Sequence, residues 1–155
     1  MKNKSVPQLV VHIVGIVFAI VVLTLVLLAA SNYPVQWRHE VNRERLRYLE
    51  VFSQALEYYY LDHDRVLPVL PQEPAVISNT STCRFSCLAL GREVPCFDAA
   101  AILVPGYMKE ILADPLFSTE HYSGFYLYQD RSTSIVIGAC NTFFGESLEI
   151  RRSLN

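Results

Sequence analysis

No Asp or Glu occurs between Met1 and Ala30 of this 155-residue chain, and from Leu9 to Ala30 nothing carries a formal charge while His12 is neutral. A solvated helix keeps a polar face, so these 22 positions are not an ordinary surface helix. Catalytic signatures are missing too. There is no Gly-rich phosphate loop, no His-Glu-x-x-His and no Gly-x-Ser-x-Gly, and His39-Glu40 lacks the second histidine of a zinc protease. Net charge is −2 and no basic patch with interleaved aromatics stands out, which leaves nucleic-acid binding without support. The expectation is a non-enzymatic protein with no cofactor, no metal and no small-molecule substrate.

What fills Leu9 to Ala30 is mostly Val, Leu, Ile and Ala. At helical rise this run covers roughly 33 Å, matching a hydrocarbon core of about 30 Å. We read residues 9–30 as a single-pass transmembrane helix, 1–8 as a short cytoplasmic tail and 31–155 as one extracytoplasmic domain. His12 lies near one interface, where a neutral imidazole leans toward the headgroups. Leu28-Ala29-Ala30-Ser31 offers small residues to a signal peptidase, but the apolar core exceeds the roughly 7–15 residues of a cleaved signal.

Two indicators of sidedness disagree. Lys2 and Lys4 precede the span while Arg38, Arg43, Arg45 and Arg47 follow it, which by the positive-inside rule puts the C-terminal domain in the cytoplasm. Against that stand Cys83, Cys87, Cys96 and Cys140, an even number in a small domain, which suggests two disulfides and an oxidising compartment. Zinc is a weaker reading, because Cys96 and Cys140 form no second knuckle, and free buried thiols are the third. We weigh the cysteines above the arginines. Of the three possible pairings we favour Cys96 with Cys140, tying a short helix to a sheet, and Cys83 with Cys87, closing a small loop.

Beyond the span, Ser31 or Asn32 is suited to cap a helix and Pro34 to begin one, with Tyr33 and Trp37 at headgroup level. Val35 to about Asp62 reads as a long amphipathic helix whose packing face is Leu46, Leu49, Phe52, Leu56 and Tyr60. Pro68, Pro71 and Pro74 then exclude regular helix. Arg84 to Leu90 reads as a short strand, Gly91 to Pro95 as a turn, Asp98 as the cap of a helix over Ala99 to Leu103, and Tyr107 to Leu112 as one further helical turn. Gly124 to Gln129 and Ser134 to Ala139 read as strands joined in a hairpin through Asp130-Arg131-Ser132, with a third strand over Ser147 to Arg151. The expected fold is α+β: the amphipathic helix laid on a small antiparallel sheet with one apolar face.

Several smaller motifs have bland readings. Asp62-His63-Asp64 could offer a metal two oxygens and a nitrogen, but at a helix end it is more often a solvated turn. Tyr58, Tyr59 and Tyr60 point about 100° apart on a helix, so at least one should be buried and one exposed. Asn79-Thr80-Ser81 and Asn3-Lys4-Ser5 match a glycosylation sequon, a pattern common by chance.

Three local stretches stand out: Ala55-Leu56-Glu57-Tyr58-Tyr59-Tyr60-Leu61-Asp62-His63-Asp64 followed by Pro68; Ile102-Leu103-Val104-Pro105-Gly106-Tyr107-Met108 through Ala113-Asp114-Pro115; and Tyr122 to Tyr128 with Ser134 to Cys140. Together with the order of elements, they resemble the type IV pilin and type II secretion pseudopilin family. The resemblance implies a pilin-like fold and, as partners, the membrane and other pilin-like subunits or a secretion or pilus machine. Family members normally carry a Gly-Phe cleavage site with a Glu four positions after the Phe. Lys4-Ser5-Val6-Pro7-Gln8-Leu9 has neither. The alternative expectation is a membrane-tethered binding module of the same fold that does not polymerise. Some pseudopilins hold calcium near the sheet, but Asp130, Glu146 and Glu149 do not reproduce a ligand pattern.

Overall fold

The computed structural model describes residues 6–119, 121–131 and 134–154, with side chains described from residue 10 onward except at 32. One helix, α1 (Val6–Asp62), precedes six strands: β1 (Ala75–Ser78), β2 (Arg84–Cys87), β3 (Arg92–Asp98), β4 (Tyr122–Arg131), β5 (Ser134–Ala139) and β6 (Glu149–Ser153). A short helix, α2 (Ala100–Leu103), follows β3. The layout is α+β. The chain divides into two compact units, Met1–His39 and Glu40–Asn155.

In the first unit α1 is long and apolar enough to cross a membrane. Its Val, Ile, Leu and Phe side chains are exposed on every side from Val10 to Leu28. α1 continues without interruption through residues 31–34. Pro34 lies inside α1 rather than opening a new helix, and Ser31 Oγ donates to Leu28 O at 2.9 Å, bonding back one turn instead of capping. The expected break at Ser31 to Pro34 is thus absent.

In the second unit α1 ends after Asp62 because Asp64 (φ 51°) and Arg65 (φ 64°) turn left-handed. Arg65 N donates to Tyr60 O at 2.9 Å, the six-to-one bond that closes a helix end, and Pro68 prevents resumption. The inward face of this half carries Leu49, Phe52, Ala55, Leu56 and Tyr60, all buried. They meet Ile77 of β1, Phe125 and Leu127 of β4, and Ile135, Ile137 and Ala139 of β5 in one cluster. Phe125 is gripped by two aromatics of α1, Phe52 at 5.9 Å and Tyr48 edge-on at 6.2 Å between ring centroids.

The sheet is larger than expected and is mixed, in the order β2-β3-β1-β4-β5-β6. β1 pairs parallel with β3 (Val76↔Cys96) and antiparallel with β4 (Val76↔Tyr126); every other pairing is antiparallel. Gly91 to Pro95 is not a turn. The reversal is a 3-10 turn, Leu88–Leu90, closed by Gly91 at φ 63°, and Arg92 to Pro95 belong to β3. Pro95 fits there because it lies one residue before the first partner of β1, Cys96, so no β1 ladder bond requires its missing N–H. Tyr107 to Leu112 forms turns and bends, not a helical turn. As expected of a cap, Asp98 Oδ1 accepts from Ala101 N at 3.2 Å.

Both faces of the sheet are covered, correcting the one-faced expectation. Alternation along β4 and β5 sends Phe125, Leu127 and Ala139 toward α1 and Tyr126 and Cys140 to the other side. There they join Val76, Cys87 and Val94, because the β2–β3 hairpin reaches over that face.

Candidate functional site

The turn of α1 that begins the second unit carries a polar residue where the sequence suggests an apolar one. Arg45 points inward and is wholly buried, while Leu46, one position and about 100° further round, is 38% exposed. Leu46 is therefore not part of the packed face. The reason lies 69 positions away: Asp114, also wholly buried, waits beneath the helix. Arg45 Nε donates to Asp114 Oδ2 at 2.7 Å and Nη2 to Oδ1 at 3.1 Å, a two-pronged pair. Nη1 donates to Asn42 Oδ1 at 2.9 Å, and the rings of Phe117 and Phe143 lie 5.5 and 5.2 Å from the guanidinium carbon.

Each partner is itself held. Asp114 Oδ1 accepts from the amides of Leu116 and Phe117, both at 2.9 Å, and Asp114 N donates to Ser123 O. Gly124 (φ 83°) backs onto this loop so closely that a Cβ would sit 2.8 Å from that of Asp114. Asn42 Nδ2 donates to Glu146 Oε2 at 2.7 Å and to Phe143 O, and Phe143 N returns a bond to Asn42 Oδ1. Chemically this is a clamp. The guanidinium spends its donors on fixed acceptors and the carboxylate its lone pairs on fixed donors, so the network binds two loops, 114–118 and 142–146, to one turn of helix.

The cysteines are joined in two disulfides, but not in the pairing favoured from spacing. Cys83 is bonded to Cys96 (Cα–Cα 5.2 Å) and Cys87 to Cys140 (Cα–Cα 4.5 Å). The β2–β3 hairpin explains it. Cys96 N donates to Cys83 O, so those two face each other across the hairpin, and Ala89 N donates to Cys140 O, which brings the end of β2 onto the end of β5. Cys83 and Cys87 sit at opposite ends of β2 and face different partners.

The remaining candidates are dispersed. His63 stacks on Tyr59 with ring centroids 3.9 Å apart and directs Nδ1 at Tyr59 O, 2.9 Å away, so that nitrogen carries the proton. Among the described residues no three His, Cys, Asp or Glu side chains are placed to hold a metal ion, so Asp62-His63-Asp64 is not a ligand set. Asp130 and Glu149 flank the same Arg151, at 2.5 and 3.9 Å, Glu149 also accepts from Tyr126 Oη at 2.9 Å, and Glu146 belongs instead to the Asn42 cluster. Tyr60 is buried, Tyr59 half-buried and Tyr58 exposed, and Asn79 is exposed at the end of β1. Burial, and then the hydrogen bond to Glu149, push the Tyr126 phenol well above its ordinary pKa of 10.0.

Sequence reasoning passed over Arg45, Asp114 and Asn42. Arg45 stood among arginines that face water, and nothing local marks one of them as buried. Asp114-Pro115 is named in the sequence only as the end of a stretch that resembles the family, with no role assigned to the carboxylate.

No family model matches this chain, and neither does any curated protein or solved structure.

Proposed function

We propose that this chain is a non-enzymatic, single-pass membrane protein, a pseudopilin-like subunit or accessory protein of a type IV pilus or type II secretion-type machine. The observation that carries the reading is the double use of α1. Its residues 10–28 expose apolar side chains all round, as lipid or neighbouring helices require, and its last six turns lie across a sheet ending in an antiparallel hairpin. Work in such a machine is lateral: helices pack side by side in the membrane while the disulfide-bearing domain faces outward. Two disulfides in a unit of this size favour the extracytoplasmic side over the one suggested by the arginines.

The test is purification in mild detergent from the native cell. Pilus or secretion components should co-purify, and a chain that is always alone and monomeric sinks the proposal. A second reading, a tethered binding module that never polymerises, is favoured by the absence of any Asp or Glu from Met1 to Ala30, where subunits of the family keep the acid used in assembly. N-terminal sequencing separates the two. An intact Met-Lys-Asn-Lys supports the tethered module, and cleavage near residues 5–9 supports the subunit.

A further inference from the structure

The sheet ends on one side at β6, the last strand in its order. Ala139 N donates to Leu148 O at 2.9 Å, so those two residues form a hydrogen-bonded pair. By alternation Ile137 with Ile150, and Ile135 with Arg152, are bonded pairs too. The N–H and C=O groups of the residues between, Glu149, Arg151 and Ser153, therefore point away from β5. All three residues are exposed, and among the described residues those groups meet no backbone partner. The edge is nonetheless firmly held. Leu148 and Leu154 are buried at its two ends, Arg152 Nη1 donates to Glu57 Oε2 at 3.1 Å, and Arg151 pairs with Asp130 at 2.5 Å. The fully buried strand residues under α1 come from β1, β4 and β5, at least one strand further in, so the helix does not close this edge.

We infer that β6 pairs with β6 of a second copy of this chain, antiparallel about a two-fold axis at Ile150, joining the two sheets edge to edge. The charges on the strand name the occupant. Glu149 and Arg151 project to the same face, with Glu149 Oε1 3.9 Å from Arg151 Nη2. In this register Glu149 lies opposite the partner's Arg151, and Arg151 opposite the partner's Glu149. Each of these pairs exchanges both backbone bonds, through the outward groups that β5 leaves unused. Ile150, half-buried, meets its own copy at the non-hydrogen-bonded position between them, where Cα atoms approach to about 4.5 Å. A shift of one residue would set outward groups against groups already bonded to β5. A shift of two, in either direction, would set Arg151 against Arg151 or Glu149 against Glu149, which repel. One register is thus selected. An edge guarded against association carries lysine, proline or a bulge; β6 has none of them and alternates sign instead. The contact is isologous, so it closes at two copies. It lies wholly within the unit Glu40–Asn155 and uses neither the membrane anchor nor the assembly role proposed above.

The experiment uses the purified full chain in mild detergent, carrying Ile150→Cys and treated with a thiol oxidant. The native cysteines are consumed in disulfides, so the added thiol alone is free to react. Non-reducing electrophoresis should show a covalent dimer forming several-fold faster than with Val69→Cys, a site 93% exposed beyond the end of α1. Added to Ile150→Cys, either Glu149→Arg or Arg151→Glu alone should slow the cross-link several-fold, by setting like charges across the axis. Both exchanges together should restore it. Equal cross-linking at 69 and 150, or a rate at 150 indifferent to the charge changes, overturns the inference. Light scattering of the unsubstituted chain supplies a reading that no substitution can spoil. A dimer fraction that rises with protein concentration is expected, and a monomer at every concentration overturns the inference. Unchanged melting of the variants shows that the fold has survived. None of these readings involves co-purification of pilus or secretion components, so the inference can fail while the proposed function stands.

Discussion

The ring of Tyr126 on β4 occupies the space above Gly138 on β5, its cross-strand partner. A Cβ at 138 would collide with Cζ and Oη of that ring and stand 2.7 Å from Cε1. Gly138 is therefore present for want of a side chain, not for backbone freedom: an aromatic covers a glycine within the sheet. The ring is fixed there by its bond to Glu149 on β6, so it cannot simply swing away.

Gly138→Ala should accordingly destabilise the domain by about 1–3 kcal/mol, the usual cost of overpacking. The check is chemical denaturation of the full chain in detergent. Tyr126→Ala in the same chain should recover part of the loss caused at 138, giving strong coupling in a double-mutant cycle. Additive losses would refute the contact.

The same ring makes stability depend on alkaline pH. Burial and Glu149 raise the folded-state pKa of Tyr126 above the unfolded value of 10.0. Below about pH 10 both states are protonated and the contribution is fully present. Above it the unfolded phenol loses its proton while the folded one keeps it, so unfolding becomes progressively easier as pH rises. Each such group steepens the fall by up to about 1.4 kcal/mol per pH unit. Tyr126→Phe should flatten the denaturation midpoint against pH above 10 by close to one proton's worth, at a cost of about 1 kcal/mol at neutral pH for the lost bond. Slope remains in that variant, because burial also raises Tyr128 and a hydrogen bond from Tyr48 to Glu44 raises that phenol.

Removal of one half of the Arg45–Asp114 pair strands the other in a dry interior. Arg45→Met should cost about 3–5 kcal/mol. Asp114→Asn should cost less, about 1.5–3 kcal/mol, since the amide oxygen can still accept from Leu116 and Phe117 while the charge on Arg45 is left unbalanced. Equal, sub-kilocalorie effects in urea titration would mean that the pair is solvated.

Peptide mapping under non-reducing conditions should recover Cys83 linked to Cys96 and Cys87 linked to Cys140. The bridges close 13 and 53 positions respectively, and loop entropy assigns them about 3 and about 4 kcal/mol. Cys87→Ala/Cys140→Ala should thus lower the melting temperature further than Cys83→Ala/Cys96→Ala. A Cys83–Cys87 peptide would contradict the hairpin.

Sequence alone settled what depends on local composition and period. The apolar stretch from Leu9 to Ala30 is legible as a helix long and apolar enough to cross a membrane, and the stretch without Gly or Pro from Val35 to Leu67 stays helical as far as Asp62. β5 is readable because Ile135, Val136 and Ile137 are a β-branched run, and β4 from the pattern over Gly124 to Gln129. β1 was not readable: four residues, Ala75 to Ser78, all buried, have no period to detect, and their strand character comes from β3 and β4 on either side. β3 hid behind Pro95.

Tertiary structure decided the rest, and the clearest case is the exchange of Arg45 for Leu46. Hydrophobicity predicts the leucine inside, because an arginine pays heavily to leave water. That cost is offset only by a carboxylate, an amide and two rings brought from residues 114, 42, 117 and 143, which no window along the chain contains. The disulfide pairing followed the same rule. Spacing limited which cysteines could meet, but strand register chose which ones did.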